Sequence, residues 1–353
     1  MAVDIKTIFT ELNTDDRLIE QTSEIIKSKV LFEEASELFT IVPGIKGGQQ
    51  VAAAKTPEYI TRASQGCGGN ALNPDMPAIS QKWNPKLAEI KIKYCYTDFM
   101  GFFTQWGLKN GYAIKDLGET EFMKFIYDFV SEAIKADMLR IALLANEDIA
   151  TAGYLIDSAK NEFYDIIPKG LIPTLQYFTT VGALSDNFVP LSANVQADPY
   201  NLSAEYSKDL FRQLTRDVAF DQGQILCNGK LYQNYEDYFE DLAGAGIETS
   251  VNRILNGQGR LSRAGAPIVY TQGFDRWRKN DIEAVTGDPG VGEPVHFAIH
   301  TDKTNLQIGV DDLRSLEDMT FEYIGGDDEH FYIKANYMMD FKIPNPFDFK
   351  AAI

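Results

Sequence analysis

The sequence is poor in the residues on which most enzymes depend. Its 353 residues include three histidines and three cysteines. These are His296, His300, His330, Cys67, Cys95 and Cys227. There is no CxxC pair and no HExxH, GxSxG or Walker motif, and the glycines flanking Gln258 lack the spacing of a dinucleotide-binding loop. We therefore predict no catalytic residue, no metal and no cofactor, and a protein that works by shape and association.

Long apolar runs and positive charge are also scarce. No apolar run approaches the roughly 18 residues of a membrane span, and the acidic N-terminus lacks the apolar segment of a signal peptide. The widely spaced cysteines fit a reducing compartment, with all three thiols buried or half-buried. The 33 lysines and arginines against 51 aspartates and glutamates give a net charge of −18. This charge disfavours tightly held nucleic acid, because phosphate binding needs a cationic surface.

Four small clusters invite a functional interpretation, and each fits an ordinary structural role better. His296 and His300 lie in a predicted strand, where residues four apart stand about 13 Å from each other, too far to share one ion. The acids before His330 lack the alternating ligand spacing of a calcium loop. No histidine lies near Cys67 in the sequence to activate its thiol. The basic cluster at Arg276–Lys279 fits the surface of a helix start better than a phosphate site.

What the sequence does contain is a long amphipathic stretch from Asp116 to Asn146. Apolar residues recur at intervals of three and four, and charged residues occupy the opposite face. Asp116 and Glu119 fit a capping box at its start, and Arg140 stands in a late turn, where a cation suits the helix dipole. At 1.5 Å per residue, roughly 27 residues form a rod about 40 Å long. We predict that the rest of the chain is organised around this helix.

The predicted buried stripe of this helix has two rows of apolar residues. The first row holds the residues that we expect to form the structural core, namely Phe122, Phe125, Phe129 and Ala133, followed by Ala136, Leu139 and Leu143. The second row widens the stripe with Ile126, Val130, Ile134, Met138, Ile141 and Ala142.

A cationic segment rich in glycine and proline precedes the helix. Residues 43–87 have few large aliphatic side chains, and long irregular stretches of this kind are usually functional loops or disorder. From Val51 to Lys115 there are eight basic and four acidic residues, a balance of +4. Such a loop fits docking onto an acidic surface, of which another copy of the chain is the simplest; a solvated loop with incidental charge is the alternative. The candidate interface residues are Lys55, Arg62, Lys82 and Lys86.

Weaker patterns predict the remaining elements. Residues 1–42, with nine acids and four bases, indicate helical pieces that form either a packed hairpin or an arm on a neighbour. Residues 88–99 alternate and predict a half-buried strand, and prolines in 150–200 punctuate short strand-like runs. The later elements are a helix at 203–222, a strand at 224–227, a helix through Tyr235 that ends at Gly244, strands at 265–271 and 295–299, and a hairpin of 321–324 with 331–338.

This order of elements resembles the major capsid proteins of tailed bacteriophages, which share the Hong Kong 97-like fold. The resemblance covers nearly the whole chain and rests on the loop followed by the long helix, on Asn305–Asp312 (NLQIGVDD) and on the closing HFYIKANYMMDFKIPNPFDF. It implies an α+β fold with an N-terminal arm, an extended β-hairpin loop, a peripheral domain with a long spine helix, and an axial domain. The implied boundaries are 1–42 for the arm, 43–98 for the extended loop, 99–195 for the peripheral domain with spine helix 118–146, 196–300 for the axial domain, and 301–353 for the return to the peripheral sheet.

The resemblance also implies a function. Members of this family are structural proteins, not enzymes, and assemble into hexamers and pentamers of an icosahedral shell around double-stranded DNA. The expected location is the virion capsid, assembled in the bacterial host cytoplasm. The implied partners are other copies of the chain, a scaffolding protein, a portal and decoration proteins, with no membrane and no sequence-specific DNA binding. Some members cross-link a loop lysine to a neighbour's asparagine; the matching residues here are Lys46, Lys55, Lys82 or Lys86 with Asn336 or Asn345.

Two other interpretations stay open at this point. Bacterial nanocompartment shells share the fold and hold cargo enzymes instead of DNA, so a partner enzyme with a docking tail would identify them. A cytosolic hydrolase that uses carboxylates is a different class, and it would be a monomer or small oligomer with a polar pocket. Size-exclusion chromatography followed by negative-stain microscopy separates a shell protein from such an enzyme.

Overall fold

The structure, a computed structural model, combines helices and strands, as the sequence predicts for an α+β fold. It describes residues 38–56, 60–61, 76–109, 133–134, 136–148, 155–197, 202–216, 218, 223–244, 261–271, 273–282, 294–310, 320–324 and 330–353. Within these ranges, no helix has the length and apolar character needed to cross a membrane.

The elements of the described part are numbered in chain order. The strands are β1 (Thr40–Pro43), β2 (Gln50–Ala54), β3 (Ala78–Lys82), β4 (Lys86–Cys95), β5 (Phe188–Val189), β6 (Gln224–Asn228), β7 (Ser262–Arg263), β8 (Ala266–Thr271), β9 (Ala298–Thr301), β10 (Gln307–Val310), β11 (Thr320–Ile324), β12 (His330–Lys342) and β13 (Phe349–Ala352). The helices are α1 (Tyr96–Lys109), α2 (136–144), α3 (Asn161–Tyr164), α4 (Leu171–Thr179), α5 (Ala193–Ala197), α6 (Tyr206–Leu214), α7 (Gly229–Gly244) and α8 (Phe274–Asp281).

The first sheet has five strands and is centred on β12. This strand pairs antiparallel with β4 over ten residue positions, with β11 near its start and with β10 near its end. β1 joins the edge in parallel with β10. The inner face of β4 and β12 is buried, as at Ala88, Ile333 and Met339, whereas Lys91 and Lys93 are exposed. The alternation predicted for this segment is confirmed.

The second sheet has six strands in the order β5-β13-β9-β6-β8-β7. β6 and β8 run parallel, and β9 pairs antiparallel with both β6 and β13. The centre of this sheet is fully buried, because every residue of β6 and of β9 is covered. Helices α6 and α7 pack over it through Phe211 and Tyr235, whose ring centroids are 5.1 Å apart. The predicted strand at 224–227 and the helix that ends at Gly244 are confirmed as β6 and α7.

Helix α2 belongs to the described part of the predicted spine helix, and its inner side is buried against the first sheet. Met138, Ile141 and Leu144 are at most 1% exposed and belong to the same apolar core as Phe341 of β12. Gly170, at the start of α4, lies so close to α2 that an added Cβ would stand 2.8 Å from the Ala142 carbonyl oxygen. The helix ends at 144, two residues before the predicted end.

The expectation that Ala133 belongs to the core is wrong. Ala133 and Ala136 are exposed, whereas Ile134 and Met138 are buried. Consecutive residues of a helix point about 100° apart, so the buried face is centred on the second predicted row and not on the first. Alanine has too little apolar surface to define a face. The other predicted core residues, Phe122, Phe125 and Phe129, lie outside the described residues.

Two further expectations are corrected, and a third is not tested. Residues 40–43 form strand β1 and not a helical piece, because Thr40, Ile41 and Val42 are β-branched. The strand predicted at 88–99 ends at Cys95, where α1 begins; Thr97 and Asp98 suit the first turn of a helix. The first part of the protein, 1–37, lies outside the described residues, so the arm remains a prediction.

The segment predicted as short strands, 150–200, is mainly helical where it is described. It contains α3, α4 and α5, with only the two-residue β5 as a strand. Pro173 misled the prediction, since it stands in the first turn of α4, where no backbone N–H is required for the helix. The helix predicted at 203–222 ends at Leu214 as α6, and the Thr215 hydroxyl donates back to the Phe211 carbonyl oxygen.

The C-terminal part agrees with its predicted hairpin and adds a strand. β11 and β12 pair from Thr320 with Lys334 to Ile324 with His330. The predicted re-entry strand in Asn305–Asp312 is β10. The strand expected at 295–299 is shifted to β9. β13 was not predicted, because its sequence FKAA carries no strand signal and its burial comes from pairing with β9 and β5.

Candidate assembly surfaces

The predicted extended loop contains a two-stranded antiparallel ribbon of β2 and β3. The pairing runs from Gln50 with Lys82 to Ala54 with Ala78. One face of the ribbon is exposed along both strands, and the other is half-buried. Ile79 of the half-buried face packs against the core of the first sheet. The ribbon thus has an anchored face and a face that is open to solvent.

An apolar plug at the base of the ribbon fixes its direction. Ile45 and Trp83 are only 2% and 3% exposed and pack over Gly309 of β10, where an added Cβ would meet both side chains at 2.7 Å. The Trp83 backbone continues the ribbon ladder, since its N–H donates to Gln49 and its carbonyl oxygen accepts from Gly48. Glycine at position 309 is therefore required by close approach of the plug to β10.

A buried carboxylate adds a polar clamp to the same base. Asp340 is fully buried; its Oδ2 accepts from the Asn84 backbone N–H at 2.7 Å and pairs with Lys342 Nζ at 2.9 Å. The Lys342 ammonium also lies 5.9 Å from the centre of the Trp83 ring. Gln81 Nε2 donates to the Ile343 carbonyl oxygen at 2.7 Å. These contacts bind the ribbon to the end of β12.

We expect Gly309→Ala to loosen this base. The added methyl group must displace Ile45 and Trp83, and overpacking of this kind lowers the free energy of unfolding by about 1–3 kcal/mol. Gly182→Ala is the matched control, because nothing lies within 4 Å of its added Cβ. Urea unfolding of the two unassembled variants measures the difference. Equal stability of both variants would contradict the tight packing described for Gly309.

The structure separates the predicted interface lysines. Lys82 and Lys55 are exposed, Lys82 on the open face of the ribbon and Lys55 just after β2. Lys86 instead pairs within its own chain, with Asp165 at 2.8 Å and Glu147 at 3.3 Å. These ion pairs give Lys86 a role within its own subunit, and its contact with a neighbour stays a prediction. Arg62 lies outside the described residues.

The ion pairs of Lys86 also explain the direction in which its pKa is shifted. Partial burial acts to lower the pKa of Lys86, but hydrogen bonds and charge attraction from Asp165 and Glu147 outweigh it and raise the pKa above its ordinary value. Lys86 begins β4, and its partners follow α2 and α3. Its role is to join the sheet to the helices that pack on it.

A second buried carboxylate joins α2 to α8. Asp281 is 1% exposed and pairs with Arg140 of α2 and, at 2.8 Å, with Lys160. The Tyr164 hydroxyl donates to the same carboxylate. Arg140 lies over the Phe163 ring, with 5.1 Å between the guanidinium carbon and the ring centre. The predicted role of Arg140 near the helix end is thus extended by a specific partner that the sequence did not reveal.

The described histidines and cysteines include buried groups in the core, whereas Cys67 lies outside the described residues. His300 is buried, and burial lowers its pKa although a hydrogen bond to the Leu214 carbonyl oxygen opposes the shift. Burial raises the pKa of the Cys227 thiol. Cys95 is exposed, which corrects the expectation that all cysteines are covered. Among the residues that the structure describes, no group of three or more His, Cys, Asp or Glu side chains could hold a metal ion.

The remaining predicted residues are the basic cluster at Arg276–Lys279 and the possible cross-link asparagines, and they differ in exposure. Arg276 and Lys279 are exposed on α8, in a helix as expected. Of the possible cross-link partners, Asn336 is exposed, whereas Asn345 is held within its own chain by Asn305 and Asp348. Sequence reasoning missed the residues of the ribbon base and of the Asp281 junction, and their partners are remote in sequence. For the ribbon base, the one signal in the sequence was Trp83, a large apolar residue within the glycine- and proline-rich segment.

Sequence comparison does not classify the chain. No family model matches it, and no curated protein sequence matches it significantly. Structural comparison shows that the chain shares its fold with a chain of a phage procapsid, and the predicted resemblance is confirmed at the level of the fold.

Three solved structures to which the chain is similar have the following matches. A chain of the satellite phage P4 procapsid, in a structure that includes the size determination (Sid) protein, matches over 100% of this chain and 97% of its own, with TM-score 0.50 and 10% identity. A structure from Mycobacterium phage Ogopogo matches over 91% of both chains with TM-score 0.49 and 10% identity. A virus-like particle from Pyrococcus furiosus matches over 95% and 98%, with TM-score 0.40 and 12% identity. Of these three, only the P4 match has a TM-score that supports a shared fold.

Proposed function

We propose that the protein is a major capsid protein of a tailed bacteriophage, which builds an icosahedral shell around double-stranded DNA. The observation that carries the proposal is the fold shared with the P4 procapsid chain over the full length of this chain. An exposed ribbon anchored at the first sheet supports it, since such a ribbon can reach a neighbouring copy. The net charge of −18 is compatible with a shell interior that repels packed phosphates.

The finer subdivision that we propose is Hong Kong 97-like. The ribbon of β2 and β3 is the extended loop, and α2 is the C-terminal part of the spine helix. The first sheet belongs to the peripheral domain, and the second sheet with α6, α7 and α8 forms the axial domain. β4, which the predicted boundaries include in the loop at 43–98, pairs with β12, so we propose that the loop ends near Trp83.

The proposed assembly has hexamers and pentamers as its units. Modest contacts between many copies sum to a stable shell while each stays reversible during assembly. The proposed partners are a scaffolding protein, a portal and decoration proteins, and the proposed location is the virion capsid after assembly in the host cytoplasm. Neither a cofactor nor an enzymatic step is part of the proposal.

Chromatography and microscopy of the purified chain test the proposal. We expect size-exclusion chromatography to give particles much larger than a 39.5 kDa monomer and negative-stain images to show rings, sheets or shells. A stable monomer under all assembly conditions would overturn the proposal and favour the hydrolase interpretation. Particles from the natural source that contain a cargo enzyme and no DNA would instead identify a nanocompartment shell.

We expect Lys82→Glu to impair assembly without unfolding the subunit. Lys82 is exposed on the ribbon face that is open to a neighbour, and reversing its charge against an acidic surface replaces attraction by repulsion. A loss of about 1.4 kcal/mol in one contact lowers its equilibrium constant roughly tenfold. Particle yield by sedimentation measures the effect, and a thermal melt of the unassembled subunit shows whether the fold is intact.

Two further variants control this experiment. Lys279→Glu makes the same charge change at an exposed site on α8, and we expect normal particle yield. Lys86→Glu removes two ion pairs of the subunit itself, and we expect a lower melting temperature. Normal yield from Lys82→Glu would count against a docking role of the ribbon.

A further inference from the structure

The outer face of the first sheet carries a concentrated basic stripe. Lys91 stands directly opposite Lys334 in the pairing of β4 and β12, and Lys93 stands opposite Tyr332. The ammonium groups of Lys93 and Lys334 each lie 5.7 Å from the centre of the Tyr332 ring. We call Lys91, Lys93, Lys334 and Tyr332 the basic stripe. It stands out on a chain whose net charge is −18.

The arrangement within the basic stripe is unfavourable for an isolated subunit. Like charges directly opposite each other in an antiparallel pair destabilise that pair. One described acid, Glu89, shares this face and lies opposite Asn336. Even so, Lys91 and Lys93 remain exposed, and neither forms an ion pair with another described residue. An acidic partner would remove the repulsion.

Helix α7 carries the opposite pattern. Asp237, Glu240 and Asp241 are exposed on its C-terminal half and form no ion pair within the described part of the chain. Asp237 and Asp241 are four residues apart, a spacing at which like charges destabilise a helix. Negative charge also opposes the helix dipole near a C-terminus, and the last turn of α7 has no basic residue. We call these three residues the acidic face.

We propose that the basic stripe of one copy binds the acidic face of a second copy. The proposal rests on the proposed function and specifies one of its subunit contacts. The spacing of the charges fits: positions four apart on a helix stand about 6 Å apart along its axis, and positions two apart on a strand stand about 6.8 Å apart. Asp237 and Asp241 can thus face Lys91 and Lys93, with Glu240 towards Lys334.

The contact joins two different surfaces of identical chains. In such a heterologous contact, every pair of copies still has one unused basic stripe and one unused acidic face. Further copies can therefore be added, and a ring forms when the rotation between neighbouring copies closes. The contact gives an opposite charge to Lys91 and Lys93 and to the three residues of the acidic face. The partner that their charges specify is consequently another copy of this chain.

A charge-swap series in the full-length chain tests the contact. The first variant, Lys91→Glu/Lys93→Glu, and the second, Asp237→Lys/Asp241→Lys, each make both patches alike in charge. We expect at least a tenfold loss of particle yield from each. The fourfold variant that combines all the changes restores complementarity and the net charge of −18, and we expect yield within about threefold of the original, since tenfold corresponds to 1.4 kcal/mol. Lys109→Glu/Lys279→Glu is the matched control and should assemble normally.

Mixing the first and second variants gives a separate readout, because each supplies the patch that the other lacks. We expect sedimentation at low salt to show association in the mixture and none in either variant alone, with loss of association at high salt. Normal assembly of either variant, or failure of both the fourfold variant and the mixture, would overturn the contact. If the unmodified chain forms no rings or shells while the mixture still associates, the shell function fails and the contact stands.

Discussion

Aspartate in place of Ile141 is expected to abolish folding of the subunit. Ile141 has no exposed surface, and it lies in α2 within the core that includes β10 and β12. A carboxylate there has no partner and no access to water, and burying an unpaired charge costs several kcal/mol. Since a domain is stable by only about 5–15 kcal/mol, this substitution removes most or all of the stability. Soluble expression and far-ultraviolet circular dichroism measure the loss.

Ala136→Asp is the matched control on the same helix. Ala136 is exposed, so the new carboxylate stays in water and only the helix propensity changes, by about 0.7 kcal/mol. We expect a folded protein with a slightly lower melting temperature. Folded Ile141→Asp protein, or an unfolded Ala136→Asp protein, would show that the buried face of α2 is assigned to the wrong side.

Asp281→Ala is expected to lower the free energy of unfolding by about 3–5 kcal/mol, because removing one partner of a buried ion pair leaves the other uncompensated. Asp281 is 1% exposed and is the shared partner of Arg140, Lys160 and Tyr164. Its loss leaves the Arg140 guanidinium, which is only 20% exposed, beside aromatic rings without a counter-charge. Urea unfolding of the unassembled subunit measures this change.

Two variants separate the charge of Asp281 from its hydrogen bonds. Asp281→Asn keeps the size and some hydrogen bonds but removes the charge, so we expect it to lose most of the same stability. Asp209→Ala, at an exposed site in the first turn of α6, removes an acid without such a network, and we expect a change below about 1 kcal/mol. An effect of Asp281→Ala no larger than that of Asp209→Ala would contradict the described junction.

The predicted consequence for assembly follows from the position of Asp281. It ends α8, beside the second sheet, whereas Arg140 belongs to α2, which packs on the first sheet. The junction thus ties the proposed axial domain to the proposed spine helix. A subunit with a weakened junction should hold these two parts less rigidly, and we expect a lower particle yield from it.

Elements with strong local patterns were predictable, and those with weak patterns were not. The alternation of Ile90 and Ile92 with Lys91 and Lys93 reports a sheet with one buried face, so β4 could be predicted from the sequence. β1 and β13 are four residues each, too short for an alternation of apolar and polar residues to be recognised. They form strands because a neighbouring strand offers hydrogen-bond partners, which are remote in sequence.

The candidate surfaces were only partly predictable for the same reason. Composition marked residues 43–87 as a functional loop, and the ribbon of β2 and β3 lies in it. Composition did not distinguish Lys82 from Lys86, because both are lysines in the same segment. The distinction comes from Asp165 and Glu147, which the fold brings to Lys86 from about 60 to 80 positions away in the chain.

The sequence by itself determined the α+β class, the part of the amphipathic helix that is described as α2, the alternation of β4 and the absence of any catalytic motif, because each depends on residue types and short spacings. The tertiary structure alone decided which side of α2 is buried, that Trp83 and Gly309 fix the ribbon, and that Asp281 and Asp340 are buried with cationic partners. Those outcomes depend on contacts between residues far apart in the chain. Neither the spacing of apolar residues nor the composition predicts such contacts.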